Sequence, residues 1–274
     1  MFDTHCHLNF AAFNYNLDEV IQNAKAAGVT RILIPGTDYE TSKKATEIAE
    51  KNEGVYSAVG IHPHHVMEFN VKRETYNVKE EIKKVETLLQ SKKAVAIGEV
   101  GIDRHYYRKT KYLDYQVNEE FIELQKTFFI EQIKLAGIYK KTLIIHNREA
   151  KKDLLELLTV SYQLLTTIPV VFHCCEPDQD LLDFAIQNNI FIGVDGDITY
   201  NEKKQEFVKK IPLKLLVLET DSPFLKPQGM KFPNEPKNLS IISQYIANLL
   251  NKDPEEIKKI TTENAEKLFV QHQE

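Results

Sequence analysis

The chain has 274 residues, 42% of them hydrophobic and 27% charged, with nine histidines, three cysteines and a formal net charge of -5. The negative balance excludes a broad basic surface that holds nucleic acid by counterion release, so any affinity for phosphate must be concentrated locally. No apolar run approaches the roughly 20 residues of a membrane span, the opening residues do not read as a signal peptide, and an odd number of cysteines, with Cys174 and Cys175 adjacent, fits a reducing cytoplasm as the expected location.

Short β-branched runs alternate with longer amphipathic stretches. Met1 to Cys6 reads as a strand followed by a helix at Leu17 to Ala27, Thr30 to Ile34 is followed by Glu40 to Asn52, and Val55 to Val59 by Lys79 to Gln90. Ala94 to Ile97 leads to Tyr115 to Ile138, Thr142 to Ile145 to Lys151 to Thr159, Pro169 to Phe172 to Asp178 to Asn188, and Ile190 to Val194 to Asn201 to Lys209. Leu215 to Leu218 is the last strand, and Asn238 to Phe269 holds two more helical patterns, with Asp253 before Pro254 reading as a cap and first turn. The charged stretch Lys72 to Lys93 reads as an exposed helix and its approach. This alternation predicts an α/β protein over 1–274, a single (β/α)8 TIM-type barrel with its C-terminal helices packed outside.

The residues at the predicted strand ends carry the chemistry. His5 and His7 close the first strand, His62 follows the third, Glu99 the fourth, His146 the fifth, His173 the sixth, Asp195 the seventh and Asp221 the eighth. Side chains two apart on an extended strand share a face, so His5 and His7 point one way and Cys6 the other. All carboxyl ends of a parallel barrel lie on one rim, so groups remote in sequence converge there. Imidazole and carboxylate suit zinc, manganese or iron better than calcium, and a carboxylate can bridge two ions about 3.5 to 4 Å apart. Glu99, beside Gly98, is the expected bridge, the small neighbour letting a ligand approach the backbone. Two divalent cations, Mg2+, Mn2+ or Zn2+, would share His5, His7, Glu99, His146, His173 and Asp221 and hold an activated water. Singly, each has a plainer reading: His146 as a hydrogen-bonded rim residue, Glu99 as a cap or ion-pair partner, Asp221 as the shaper of the turn before Pro223.

Six segments in order, Asp3-Thr4-His5-Cys6-His7-Leu8, Gly60-Ile61-His62-Pro63-His64, Gly98-Glu99-Val100-Gly101-Ile102-Asp103, Ile145-His146, Phe172-His173-Cys174 and Leu218-Glu219-Thr220-Asp221-Ser222-Pro223, resemble the TatD family of metal-dependent deoxyribonucleases. The likeness continues through Asn234-Glu235-Pro236 to Thr262-Glu263-Asn264-Ala265-Glu266-Lys267-Leu268-Phe269. The resemblance implies an amidohydrolase-like barrel and two-metal hydrolysis of DNA phosphodiesters, as a 3'-5' exonuclease on single strands or 3' ends. It implies that His5, His7 and Asp221 hold one ion, that His146 and His173 hold the other, and that Glu99 bridges. Asp221 would also accept a proton from the attacking water, and His62 and His64 would stand near the substrate.

Three segments depart from that pattern. Asn147-Arg148-Glu149 keeps the arginine and the acid after His146 but not the usual small residue, Cys174-Cys175-Glu176-Pro177 lacks the usual glycine turn, and Gly229-Met230-Lys231-Phe232-Pro233 replaces much of a basic loop. Substrate choice is therefore open. Arg148, Lys226, Lys231 and Lys237 are candidates for phosphate contacts, and Tyr106, Tyr107, Phe224 and Phe232 for stacking on bases or for packing. The same activated water would serve another ester or an amide, including an aminoacyl ester on tRNA, and a metal-bound scaffold without turnover is a third reading. The presence of all six expected ligands counts against that third reading, and a monomer is the expected state.

Overall fold

The computed structural model describes residues 1–71, 77–112 and 115–271, so the opening of the charged stretch, residues 72–76, lies outside it. Eight parallel strands form one sheet in sequence order. They are β1 Phe2–Asp3, β2 Arg31–Pro35, β3 Val55–Val59, β4 Ala94–Asp103, β5 Thr142–Arg148, β6 Val170–Phe172, β7 Phe191–Val194 and β8 Leu216–Leu218. Helices at Leu17–Ala26, Tyr39–Lys51, Val78–Thr87, Glu119–Tyr139, Lys151–Val160, Gln179–Asn188, Glu202–Val208 and Leu239–Leu249 follow them in turn. The sheet closes where β8 meets β1, with Thr4 N donating to Leu218 O at 3.1 Å and Asp221 N to His5 O at 2.9 Å. This is the expected (β/α)8 barrel. Among the described residues no helix is long and apolar enough to cross a membrane.

Local chemistry starts the helices. The side chains of Asp38, Asn77, Asn118, Asp178, Asn201 and Asp253 each accept a backbone N–H from the first helical turn, satisfying donors that the helix leaves unpaired. The strands are mostly apolar, as in Val170–Phe172 and Leu216–Leu218, because helices cover one face and the barrel interior the other. Inside, Phe2, Leu33, Ala58, Val95, Ile144, Val171 and Val217 pack in one cluster with Ala265, Leu268 and Phe269 of the last helix, Pro254–Phe269. That helix thus lies outside the strands and floors the barrel, leaving the opposite end as the open mouth.

Four of the boundaries that differ from the sequence reading bear on the mouth. β1 ends at Asp3 rather than Cys6, because Cys6 N turns to Leu33 O and Cys6 bridges Ser222. β4 and β5 run on to Asp103 and Arg148, so Glu99 and His146 lie within strands rather than after them. The fourth helix begins at Glu119, where Asn118 caps it, and not at Tyr115.

Candidate metal centre

The chain enters the mouth from both sides of the β1–β8 seam. Asp3 is fully buried and accepts the Thr220 amide at 2.9 Å and the Thr220 hydroxyl at 2.6 Å, which pins the start of the chain to the end of β8. Beyond it the expected alternation holds without strand pairing: Cys6 is buried in the core between barrel and helices, and the Nε2 atoms of His5 and His7 lie 3.2 Å apart. Glu99 is aimed by a bulge. Ile97 pairs with Leu143 and Val100 with Ile145, so two residues of β4 stand opposite one of β5, and Glu99 N bonds Gly36 O at 3.0 Å. Such an insertion re-aims a side chain. Gly98 serves packing rather than ligand approach, because a Cβ there would meet the side chain of Ile144. At Gly101, with φ +151, a side chain would strike the carbonyl of His146.

Glu99 is the hub. Its Oε2 lies 3.3 Å from His5 Nε2 and 3.6 Å from His7 Nε2, while its Oε1 lies 2.7 Å from His146 Nδ1, 3.5 Å from His62 Nε2 and 3.6 Å from His173 Nε2. Asp221 Oδ1 stands 3.6 Å from His7 Nε2 and 3.9 Å from the Nε2 atoms of both His5 and His173. The structure therefore brings together the six residues singled out in the sequence. Sets of three among them, such as His5, His7 and Glu99, or Glu99, His146 and His173, have donor atoms close enough to share an ion. The fit to a cation rests on this chemistry: Lewis-basic imidazole nitrogens and carboxylates face one another in a buried space, and Asp221 Oδ1 has no hydrogen-bond partner.

Burial pulls His5 and His7 below the usual imidazole range. It also pulls on His146 and His173, but neighbouring carboxylates outweigh it, Asp103 and Glu99 lifting His146 to about 9 and Glu219 and Glu99 lifting His173 to about 10. Burial would raise Asp103, yet its hydrogen bond with His146 brings it to about 2.

Two carboxylates behind the imidazoles escaped sequence reasoning. Asp103 Oδ2 lies 3.1 Å from His146 Nε2, on the side of the ring away from Glu99, and Glu219 Oε1 lies 3.0 Å from His173 Nδ1 while also accepting Cys174 N at 2.6 Å. Such partners fix the tautomer and orientation of a metal-binding imidazole. The signal was present as acids beside candidate ligands, at Asp103 in Gly-Ile-Asp and Glu219 in Glu-Thr-Asp.

A cleft of about 570 Å³ opens over the cluster, walled by Phe10, His62, His64, His65, Tyr107, Arg148, Glu176 and Phe224 among others. His62, His64 and Arg148 are among the residues that line this cleft. His64 Nε2 contacts Thr110 Oγ1 at 2.9 Å, and Arg148 donates to the Tyr107 hydroxyl at 3.1 Å with its guanidinium 5.2 Å from that ring. Tyr107 donates in turn to Asp103 at 2.8 Å. Other candidates fall elsewhere: Lys237 pairs with Glu235 at 2.8 Å, Lys226 lines a neighbouring cleft, and Asp195 is held by Lys204 at 2.7 Å.

Residues 2–270 match the family model described as TatD related DNase. The chain belongs to the TatD family. It is 34% identical over 272 residues to a protein of Bacillus subtilis named an uncharacterized metal-dependent hydrolase, YabD, with 98% of each chain covered. It is 32% identical over 279 residues to the 3'-5' ssDNA/RNA exonuclease TatD of Erwinia billingiae, again with 98% of each covered. Among solved structures, the TatD homologue YjjV of Escherichia coli K12 superposes with a TM-score of 0.82 at 28% identity, covering 98% of this chain and 97% of that one. This TatD protein is accordingly a metal-dependent hydrolase, with clusters of His, Asp and Glu able to hold its metal.

Proposed function

We propose that this chain is a deoxyribonuclease that hydrolyses phosphodiester bonds at the 3' end of single-stranded DNA, acting as one catalytic barrel over residues 1–274. The observation that supports this reading most strongly is the pair of Glu99 oxygens, each facing a different set of imidazoles. In this reading His5, His7 and Asp221 hold one divalent cation, His146 and His173 hold a second, and Glu99 serves both. When bound, the cations supply the positive charge that neutralises nonbridging phosphate oxygens and lower the pKa of water from about 16 toward 7.

The chain's own residues do the remaining work. Asp221, whose Oδ1 lacks a partner, accepts the proton of the attacking water. Arg148, held over the Tyr107 ring, contacts the phosphate, with His62 and His64 beside it. A positive centre sunk in a cleft lets a protein of net charge -5 act on a polyanion. The name of the Erwinia relative favours this substrate over other esters.

Cleavage of oligonucleotides labelled at the 5' or the 3' end, with Mg2+, Mn2+ or Zn2+, tests the reading. A 5' label is expected to yield a descending ladder on single strands and a 3' label a mononucleotide. Inertness toward DNA with turnover of aminoacyl-tRNA or a cyclic amide would move the activity to another bond.

A further inference from the structure

The cleft above the metal cluster has Phe224 and Leu225 in its wall. Phe224 and Leu225 also line a second cleft of about 470 Å³, whose other walls are Tyr200, Pro223, Lys226, Gln228 and Phe232. Its wall is mostly apolar, yet it lies open. Tyr200 is 50% exposed, Phe224 46%, Phe232 67% and the nearby Met230 37%, a concentration of large apolar side chains at one edge of the mouth. A structural role would bury these rings, and exposed aromatic groups gathered around a groove mark a binding surface. Among the described residues of the wall the only charged one is a lysine, Lys226.

The groove is pre-formed. The β8 loop is tied to the β7 loop by Gln228 N donating to Thr199 Oγ1 at 2.8 Å, and closed on itself by Asn234 N donating to Pro223 O at 2.9 Å. Gly196 lets the two loops meet, since a Cβ there would collide with Leu225 O and Pro227. An aromatic path leads into the groove from the centre: His7 stacks on Phe10 at 4.3 Å between centroids, and Phe10 meets Phe224 edge-on at 6.2 Å.

We infer that this second cleft is a subsite for the unpaired bases of the nucleotides adjoining the scissile bond, with Tyr200 and Phe232 as stacking platforms and Lys226 against the backbone. The inference rests on the proposed nuclease reading and adds where the rest of the strand lies. The polymer must leave the metal cluster through some exit, and this cleft adjoins it across the shared Phe224 and Leu225, is apolar enough for bases and has no acidic residue among the described residues of its wall. Stacking is tolerant of sequence and requires bases free of a duplex.

Steady-state kinetics of the metal-loaded enzyme on thymidine dinucleotide and octanucleotide, with anisotropy of the labelled octamer on the chelated protein, test it. Phe232→Ala and Tyr200→Ala are each expected to weaken octamer binding by about tenfold and to raise KM for the octamer about tenfold more than for the dinucleotide, with Phe232→Tyr restoring both. Equal losses at the two lengths, undiminished octamer binding, or binding of a duplex as tight as the single strand would overturn the subsite. So would a length-dependent loss confined to Arg108→Ala and Lys109→Ala, which line a different cleft beside Tyr107. If the unaltered enzyme cleaves no oligonucleotide of either length, it is the nuclease reading that falls.

Discussion

Around Lys204 the mouth of the barrel supplies its own cation: the ammonium is almost fully buried and lies 2.7 Å from both Asp195 Oδ2 and Asp197 Oδ1. Around Glu99, a few residues away through His173 and Cys174, the ion-pair partners of Glu99 and Asp221 among the described residues are imidazoles. Both clusters sit at the mouth of the barrel and both contain acids that the sequence places after predicted strands. The difference separates a carboxylate already held by a fixed ammonium from carboxylates that face only imidazoles, the donor set that could hold a metal ion.

Altering Glu99 strikes that contrast hardest. Glu99→Gln is expected to lower phosphodiester turnover by at least about 10³-fold while the far-ultraviolet circular dichroism stays that of the barrel, since the hub then loses its charge. His173→Ala should do the same, and chelation should silence the unaltered enzyme until Mn2+ or Mg2+ is returned. Near-normal turnover by either variant would break the comparison.

The opposite result is expected at the second cluster. Lys204→Met leaves Asp195 buried without its partner and should cost about 3–5 kcal/mol of stability by denaturant titration, with the metal content of the folded protein unchanged. If metal content fell with it, the two clusters would be one site.

Asp103→Asn probes the support behind a ligand rather than the ligand. Losing the carboxylate at His146 Nε2 should weaken metal affinity about 10–100-fold. Activity should return at raised metal concentration, a rescue that a purely structural defect would not show.

These roles differ in how far the sequence reveals them. Position at or just after a predicted strand made His5, His7, His146, His173 and Asp221 legible, because a parallel barrel gathers such residues whatever their separation in the chain. Glu99 was read correctly as convergent, but its bulge was invisible: Gly98 interrupts the apolar run, and only pairing with β5 carries the strand on to Asp103. Lys204 reads as one more solvated charge on an amphipathic helix, and its burial depends on Asp195, brought to it by the loop between them. The exposed aromatic groove was half legible, as Phe224 and Phe232 in a loop, while Tyr200 joins it only in three dimensions.

The gentlest contrast is with the outer wall, where Asp153 receives Arg104 Nε at 2.7 Å and Lys126 Nζ at 2.8 Å. The hydrogen bond from Arg104 holds Asp153 at about 2, below its ordinary 3.8. The unfolded chain therefore takes up this proton first as pH falls, so the contribution is full above about pH 4 and is lost toward pH 2. Asp153→Asn should cost about 1 kcal/mol near pH 7, and the gap from the unaltered protein should close as the denaturation midpoint is followed to low pH. A gap that persists would assign the cost to packing.

Metal titration of the chelated protein by calorimetry, run beside cleavage of an end-labelled single strand, addresses the centre directly. Two divalent ions per chain are expected, with cleavage appearing as the second site fills and with Glu99→Gln losing both. A chain that cuts DNA with one ion or none, or that fills two sites in the Glu99→Gln variant as readily as in the unaltered protein, would contradict a carboxylate-bridged pair of cations at the barrel mouth.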